Sequence, residues 1–203
     1  MSTETLSLAP TELRVLGTLL EKQRTVPETY PLSLNALMAG CNQKTSRNPV
    51  TELSERDLLP ALERLKELGL VNEVSGSRVV RFAHQFEKVI GVPSQSAALL
   101  TVLMLRGPQT AGELRLNSER LHKYADISSV EAFLAELASR PQGALVRELP
   151  RQPGSRENRW MHLLGDAVEE SAVTSLLEGK AENDLAVRVS QLEAEVSELR
   201  GLL

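Results

Sequence analysis

The strongest restriction on the fold is an order of elements that the sequence uses twice. In each half, three amphipathic helical patterns precede two short segments of strand character. The repetition is clearest in two phrases, Leu62-x-x-Leu65…Gly69-Leu70-Val71 and Leu134-x-x-Leu137…Ala144-Leu145-Val146. A unit that recurs within a chain indicates a duplicated structural module. Three helices and a hairpin are the order of a winged helix. We therefore predict a mainly α fold with small β-hairpins (α+β) and tandem winged helix-turn-helix domains.

Apolar spacing places the elements of the first domain, residues 10–91. The periodicity predicts helices at Thr11–Arg24, Ser33–Cys41 and Ser54–Leu68, followed by a hairpin over residues 70–82. Pro60 falls inside the third predicted helix, where it lacks an N–H and clashes with the preceding turn. We expect either a kink at this proline or a helix that begins near Asp57.

The second domain, residues 92–165, repeats the order with shorter elements. Helices are predicted at Ser94–Arg106, Thr110–Leu114 and Ser128–Ser139, and strands at Ala144–Leu149 and Arg159–Leu164. Pro153-Gly154 marks the turn between the two strands. In both domains the segment between the last two strands is the wing.

A different pattern governs the end of the chain. After a linker or short helix at residues 166–183, apolar residues in 184–203 alternate spacings of four and three: Leu185, Val189, Leu192, Val196, Leu199 and Leu203. Valine at a and leucine at d favour two parallel strands, so we predict a C-terminal coiled-coil helix that forms a homodimer. The alternative is an amphipathic helix that folds back onto its own domain.

Charge and cysteine content bear on compartment and partner. The segment from Asp166 to the end has nine acidic and three basic residues, a balance of −6. The other 18 acidic and 20 basic residues give residues 1–165 a balance of +2, which permits nucleic-acid binding. A single cysteine, no secretory signal pattern and no membrane-length apolar run predict a cytoplasmic protein without membrane association.

The sequence contains no pattern typical of catalysis. His84, His122 and His162 are far apart, with no cysteine or carboxylate at metal-ligand spacing. Cys41 ends an apolar helix face, which is typical of a buried thiol. No phosphate-binding loop, nucleophile elbow or carboxylate pair is present. We expect a non-enzymatic protein without metal or cofactor.

Three long segments carry a family resemblance. They are Thr29-Tyr-Pro-Leu-Ser-Leu-Asn-Ala-Leu37 with Ala39-Gly-Cys-Asn-Gln-Lys-Thr-Ser-Arg-Asn-Pro-Val50, then Leu105-Arg-Gly-Pro-Gln-Thr-Ala-Gly-Glu-Leu-Arg115, and Arg151-Gln-Pro-Gly-Ser-Arg-Glu-Asn-Arg-Trp-Met-His-Leu-Leu164. In these segments the chain resembles the YceH-type family of bacterial proteins. The resemblance implies the tandem winged-helix fold and no activity. Asn48, where the family leads us to expect an acidic residue, and Pro60 depart from its pattern.

The candidate binding residues lie on the wings and in the loop before the third helix. As contacts to double-stranded DNA we predict Asn42, Gln43, Lys44, Arg47, Arg78, Arg81, Arg151, Arg156 and Arg159. Both candidate recognition helices carry outward acidic residues, which are costly next to phosphates. Two interpretations therefore stay open: a dimeric DNA-binding, transcriptional-regulator-like protein, or a protein–protein interaction scaffold without DNA contact.

Overall fold

The computed structural model describes residues 6–74, 79–151, 155 and 157–165. The first half contains, in chain order, α1 (Pro10–Thr25), β1 (Leu32–Ser33), α2 (Leu34–Cys41), α3 (Glu55–Glu67), β2 (Val71–Val74), β3 (Arg81–His84) and α4 (Phe86–Ile90). A 3-10 turn at Pro27–Thr29 joins α1 to β1. The strands form an antiparallel sheet in the order β1-β3-β2, with Leu32 opposite Phe82 and Val71 opposite His84.

The second half repeats the order of three helices and a hairpin. It contains α5 (Ser94–Arg106), α6 (Ala111–Asn117), α7 (Ile127–Ala138), β4 (Val146–Leu149) and β5 (Arg159–His162). The two strands pair antiparallel, with Val146 opposite His162. Gln109 bridges Trp160 at the position that Leu32 occupies against Phe82 in the first half. The α+β class that the sequence predicts, helices with small antiparallel sheets, is confirmed in the described part of the chain.

The core lies between the first helices of the two halves. Leu16 and Leu19 of α1 and Leu100 of α5 are fully buried. A methyl group on Gly17 would lie 2.9 Å from Cδ2 of Leu105, so a larger residue there would force the Leu105 side chain to move. The leucines that define the helical periodicity therefore bury one continuous apolar surface.

The third helix passes through its proline. Ser54 is the N-cap of α3, and Asp57 accepts a hydrogen bond from the Ser54 backbone at 2.7 Å, which forms a capping box. The helix then continues over Pro60 to Glu67. The expectation of a start near Asp57 is therefore wrong, because the N-cap is Ser54 and the first helical residue is Glu55. Pro60 itself is exposed.

Among the elements in the described ranges, the strand β1 and the helix α4 were not predicted. Their sequences are short, and β1 consists of two residues that directly precede a helix. Segments of this length carry no detectable period, because a helix pattern needs about three turns. The linker or short helix predicted at 166–183 and the coiled-coil helix predicted at 184–203 lie outside the described residues.

Candidate nucleic-acid interface

Arg47, predicted to contact DNA, points into the protein. Its side chain is buried, and Nη2 donates to Oε2 of Glu21 at 2.7 Å and to the carbonyl of Gly40 at 2.8 Å. Burial by itself would raise the pKa of the Glu21 carboxyl, but the hydrogen bonds and charge of Arg47 hold this pKa below its usual range. Arg47 therefore ties α1 to the end of α2 and is not available to a phosphate.

The loop that carries Arg47, residues 42–53, is fixed along its length. Nη2 of Arg14 donates to the carbonyl of Pro49 at 2.6 Å. The side-chain amide of Asn42 donates to the carbonyl of Leu53 and accepts from its N–H, both at 2.7 Å. Asn42 therefore closes the loop on itself, which is a structural role rather than the base or phosphate contact that we predicted.

The same loop also contacts the second half of the chain. The backbone N–H of Asn48 donates to the carbonyl of Leu105 at 2.9 Å, and its side-chain amide donates to the carbonyl of Arg106 at 3.3 Å. In the opposite direction, Nη2 of Arg106 donates a hydrogen bond to Oγ of Ser46 at 2.8 Å. The loop thus caps the C-terminal end of α5. The side-chain amide at position 48 donates to the carbonyl of Arg106, which an ionised carboxylate cannot do.

The other two predicted residues of this loop differ in exposure. Oε1 of Gln43 accepts from Nζ of Lys22 at 2.8 Å, and its amide nitrogen donates to the carbonyl of Thr45. Lys44 is exposed, and its ammonium makes no hydrogen bond or ion pair with a described residue. Of the four cationic or amide side chains proposed in this loop, Lys44 alone faces solvent without an internal contact among the described residues.

Two predicted wing arginines occupy equivalent positions, which we call the wing latches, Arg81 and Arg159. Each begins the second strand of its hairpin. Nη1 of Arg81 donates to the carbonyl of Pro31 at 2.7 Å, and Nη1 of Arg159 donates to the carbonyl of Pro108 at 3.0 Å. Both prolines lie just before the second helix of their half. The wing latches therefore hold each hairpin against its helices.

The sequence contains a signal for the wing latches that a search for surface cations misses. Arg-aromatic-x-His occurs once at the second strand of each hairpin, as Arg81-Phe-Ala-His84 and Arg159-Trp-Met-His162. The remaining predicted wing residues are Arg151, which is exposed, and Arg78 and Arg156, which lie outside the described residues. The structure therefore brings the predicted set together only in part.

The exposed face of α3 is acidic and contains an aliphatic side chain. Leu59 is 43 % exposed. Nζ of Lys66 is held by Glu63 at 2.8 Å and by Glu73 at 2.6 Å, so its charge is neutralised within the protein. A further pair joins Arg64 to Glu67. Lys66 and Arg64 thus offer little charge to a phosphate backbone.

The corresponding helix of the second half, α7, contains no lysine or arginine. Ile127 at its start is 44 % exposed, and Glu131 and Glu136 are also exposed. Carboxylates on this face would repel a DNA backbone, and no basic residue of the helix offsets them. α7 therefore lacks the charge of a DNA-reading helix, and α3 keeps only Arg56 without an ion pair to a described residue.

Candidate metal ligands do not cluster in the part of the chain that the structure describes. Within the ranges that the structure describes, no group of three or more His, Cys, Asp or Glu side chains could hold a metal ion. Cys41 is buried, and burial raises the pKa of its thiol, which opposes the reactive thiolate. Among the same residues, no helix is long and apolar enough to cross a bilayer.

Comparisons with known proteins place the chain in a family. Residues 8–155 match the family model described as "Protein of unknown function, DUF480". The chain belongs to the DUF480 family. A UPF0502 protein of Dechloromonas aromatica is 67 % identical over 207 residues, which cover 100 % of this chain and 97 % of the relative. A UPF0502 protein of Burkholderia thailandensis is 59 % identical over 197 residues, which cover 97 % of this chain and 82 % of the relative.

The resemblance drawn from the sequence is confirmed at the level of this bacterial DUF480 family, while the YceH name stays a prediction. A UPF0502 protein of Burkholderia orbicola is 67 % identical over 157 residues, which cover 77 % of this chain and 66 % of the relative. The names of these relatives state no activity, so the evidence for a function of this DUF480 protein comes from its own residues.

Proposed function

We propose that this DUF480 protein is a protein-interaction module whose two winged-helix units form one scaffold, and that its third helices bind protein rather than duplex DNA. The observation that carries the proposal is the chemistry of α3 and α7. Each presents an exposed aliphatic side chain, Leu59 or Ile127, beside carboxylates. DNA-binding faces are basic, whereas an aliphatic side chain beside carboxylates suits a protein partner better than a phosphate backbone.

The internal use of the predicted DNA ligands supports the same proposal. Arg47 donates hydrogen bonds to Glu21, and the wing latches Arg81 and Arg159 donate to backbone carbonyls. Removing these arginines from the candidate interface leaves few cations on the surfaces that would face DNA. Their contacts instead hold a loop and two hairpins against the helices, and a surface organised in this way before binding lowers the entropic cost of binding a partner.

A second candidate function, DNA binding, is favoured by one specific observation. Lys44, Arg56 and Arg151 are exposed and make no ion pair with the described residues. Lys44 lies in the loop before α3, and Arg56 lies in its first turn. Phosphate contacts from these three side chains would give non-specific, salt-sensitive binding. Transcriptional regulation, if it occurs, would then need a partner that supplies sequence specificity.

Native purification separates the two candidates. The tagged full-length chain is isolated from the bacterium that encodes it, with and without nuclease, and the retained proteins and nucleic acids are identified separately. A protein partner that stays at fixed stoichiometry after nuclease treatment supports the scaffold. Loss of every co-purifying protein upon nuclease treatment contradicts it. Leu59→Glu is the variant that changes the proposed face. Val89→Glu is its matched control, because it changes an aliphatic residue of similar exposure on α4.

A further inference from the structure

Residues 6–9, which precede α1, pack against the second half of the chain, and we call them the N-terminal strap. Leu8 is fully buried. Its backbone N–H donates to the carbonyl of Leu164 at 2.8 Å, and the residue forms a parallel β-bridge with Gly165. Leu6 is partly buried against the core. The strap therefore belongs to the first half in sequence but lies beside the residues that follow β5.

Gly165 is packed against the strap at close range. A methyl group there would lie 3.0 Å from Cδ1 of Leu13 and 3.2 Å from the backbone oxygen of Leu8. Both distances are shorter than an ordinary van der Waals contact, and the Leu8 oxygen cannot rotate away as the end of a side chain can. The φ of Gly165 is outside the left-handed region. The nearness of the strap, and not the backbone conformation, therefore disfavours a side chain at this position.

The other end of the strap is held by α1. Ala9 is the N-cap of this helix, and its backbone N–H donates to Oε2 of Glu12 at 2.8 Å. Pro10 occupies the first helical position, where its restricted φ limits the conformations of the junction. The strap is thus a short extended segment between a fixed helix start and the end of the second hairpin.

The two halves are also joined at places that the strap does not touch. Asn48 donates to the carbonyls of Leu105 and Arg106, and Arg106 donates to Ser46. In addition, α1 packs along α5 where Gly17 approaches Leu105. Opening of the strap alone therefore leaves the two halves together.

These contacts point to a conformational device at the end of the second hairpin. We infer that the N-terminal strap controls the order of this hairpin. While Leu8 lies against Leu164 and Gly165, the hairpin is held, and release of the strap loosens it while the first hairpin stays ordered. One buried leucine and one main-chain hydrogen bond are a small contact, which suits an element that opens locally. The inference goes beyond the proposed function, since it does not depend on which partner the third helices bind.

Hydrogen exchange of the full-length chain, measured by mass spectrometry, tests this inference. Leu8→Ala should speed exchange of the amides in β4 and β5 at least about tenfold, because the truncated side chain leaves the strap weakly bound. Exchange in β2 and β3 should stay as in the parent. Leu32→Ala is the matched control, because Leu32 is a buried leucine that pairs with β3 of the first hairpin. It should speed exchange in β2 and β3 more than in β4 and β5.

A second variant changes the same contact from the other side. Gly165→Ala pushes against the backbone of Leu8 and should give the pattern of Leu8→Ala. Gly112→Ala adds a methyl group at ordinary contact distance and should not. Exchange that rises equally in both hairpins, that rises only at residues 6–13, or that changes in neither strap variant would overturn the inference. If Leu8→Ala does not fold, the pattern of Gly165→Ala decides.

Discussion

His84 and His162 occupy equivalent positions in the two halves. Each ends the second strand of its hairpin, and each ring accepts at Nδ1 from the backbone N–H two residues later, at 3.4 Å in both cases. Nε2 of His84 lies 2.8 Å from Oε1 of Gln23, so the neutral ring with its proton on Nε2 satisfies both contacts. A second proton, on Nδ1, would oppose the N–H of Phe86, so that two donors face each other and this hydrogen bond is lost.

Acidification should therefore destabilise the protein. Burial lowers the pKa of both His84 and His162 to about 4, compared with 6.5 for an exposed histidine. Between these values the unfolded chain binds more protons than the folded chain, so the free energy of unfolding falls as pH falls from about 6.5 to about 4. For His84, which is buried, the loss at pH 4 is about 3 kcal/mol.

Urea unfolding across this pH range checks the effect. His84→Gln removes one titrating ring, so the variant should be less stable than the parent at pH 7 and approach it at pH 4. A stability difference that is constant between pH 7 and pH 4 would contradict the assignment.

Pro60 should reduce the stability of α3. The helix is continuous from Glu55 to Glu67, so Pro60 forfeits the bond to the carbonyl of Arg56 in an exposed interior position. Pro60→Ala should increase the free energy of unfolding, by at most about 3 kcal/mol, and raise the melting temperature by several degrees. Pro150→Ala, in the exposed loop after β4, is the control and should change little. A lower melting temperature for Pro60→Ala would mean that the proline supports the helix.

The wing latches should matter for stability. Arg81→Ala removes the hydrogen bonds to the carbonyls of Thr29 and Pro31, which should cost roughly 1–2 kcal/mol. Arg159→Ala should cost a similar amount. Arg151→Ala changes an exposed arginine of the second wing and should leave the free energy of unfolding unchanged. If Arg81→Ala and Arg151→Ala unfold at the same urea concentration, the latch role is wrong.

The heptad pattern at residues 184–203 remains a prediction from sequence. If it forms a parallel homodimer, replacing both Val189 and Val196 by lysine should give monomers in sedimentation velocity, because both occupy the seam. The matched control places lysine at Ser190 and Ser197, one position outside the seam, and should stay dimeric. A monomeric parent chain at tens of micromolar would exclude the coiled coil.

Sequence periodicity predicted where the helices begin and end, but it did not predict which arginines of the candidate site face solvent. The leucine pattern of α1 and α3 gives their ends to within about a residue, because burial of one face imposes the helical period. No comparable sequence pattern indicates whether a single arginine side chain points into the protein or into solvent. Arg47 and Arg81 look in sequence like surface cations of a loop and a wing, and only the packed fold brings carbonyls and Glu21 within their reach. The repeated Arg-aromatic-x-His motif, in contrast, is visible in the sequence and identifies the second strand of both hairpins.

Duplex binding tests the central claim most directly. A fluorescein-labelled random duplex is titrated with the full-length chain at about 50 mM salt, where phosphate contacts are strong. The acidic, partly aliphatic third helices predict no saturable rise in anisotropy at micromolar protein. Saturable binding that weakens with salt, and whose salt dependence becomes shallower when Lys44 and Arg56 are replaced by alanine, would contradict the scaffold and establish DNA as the partner.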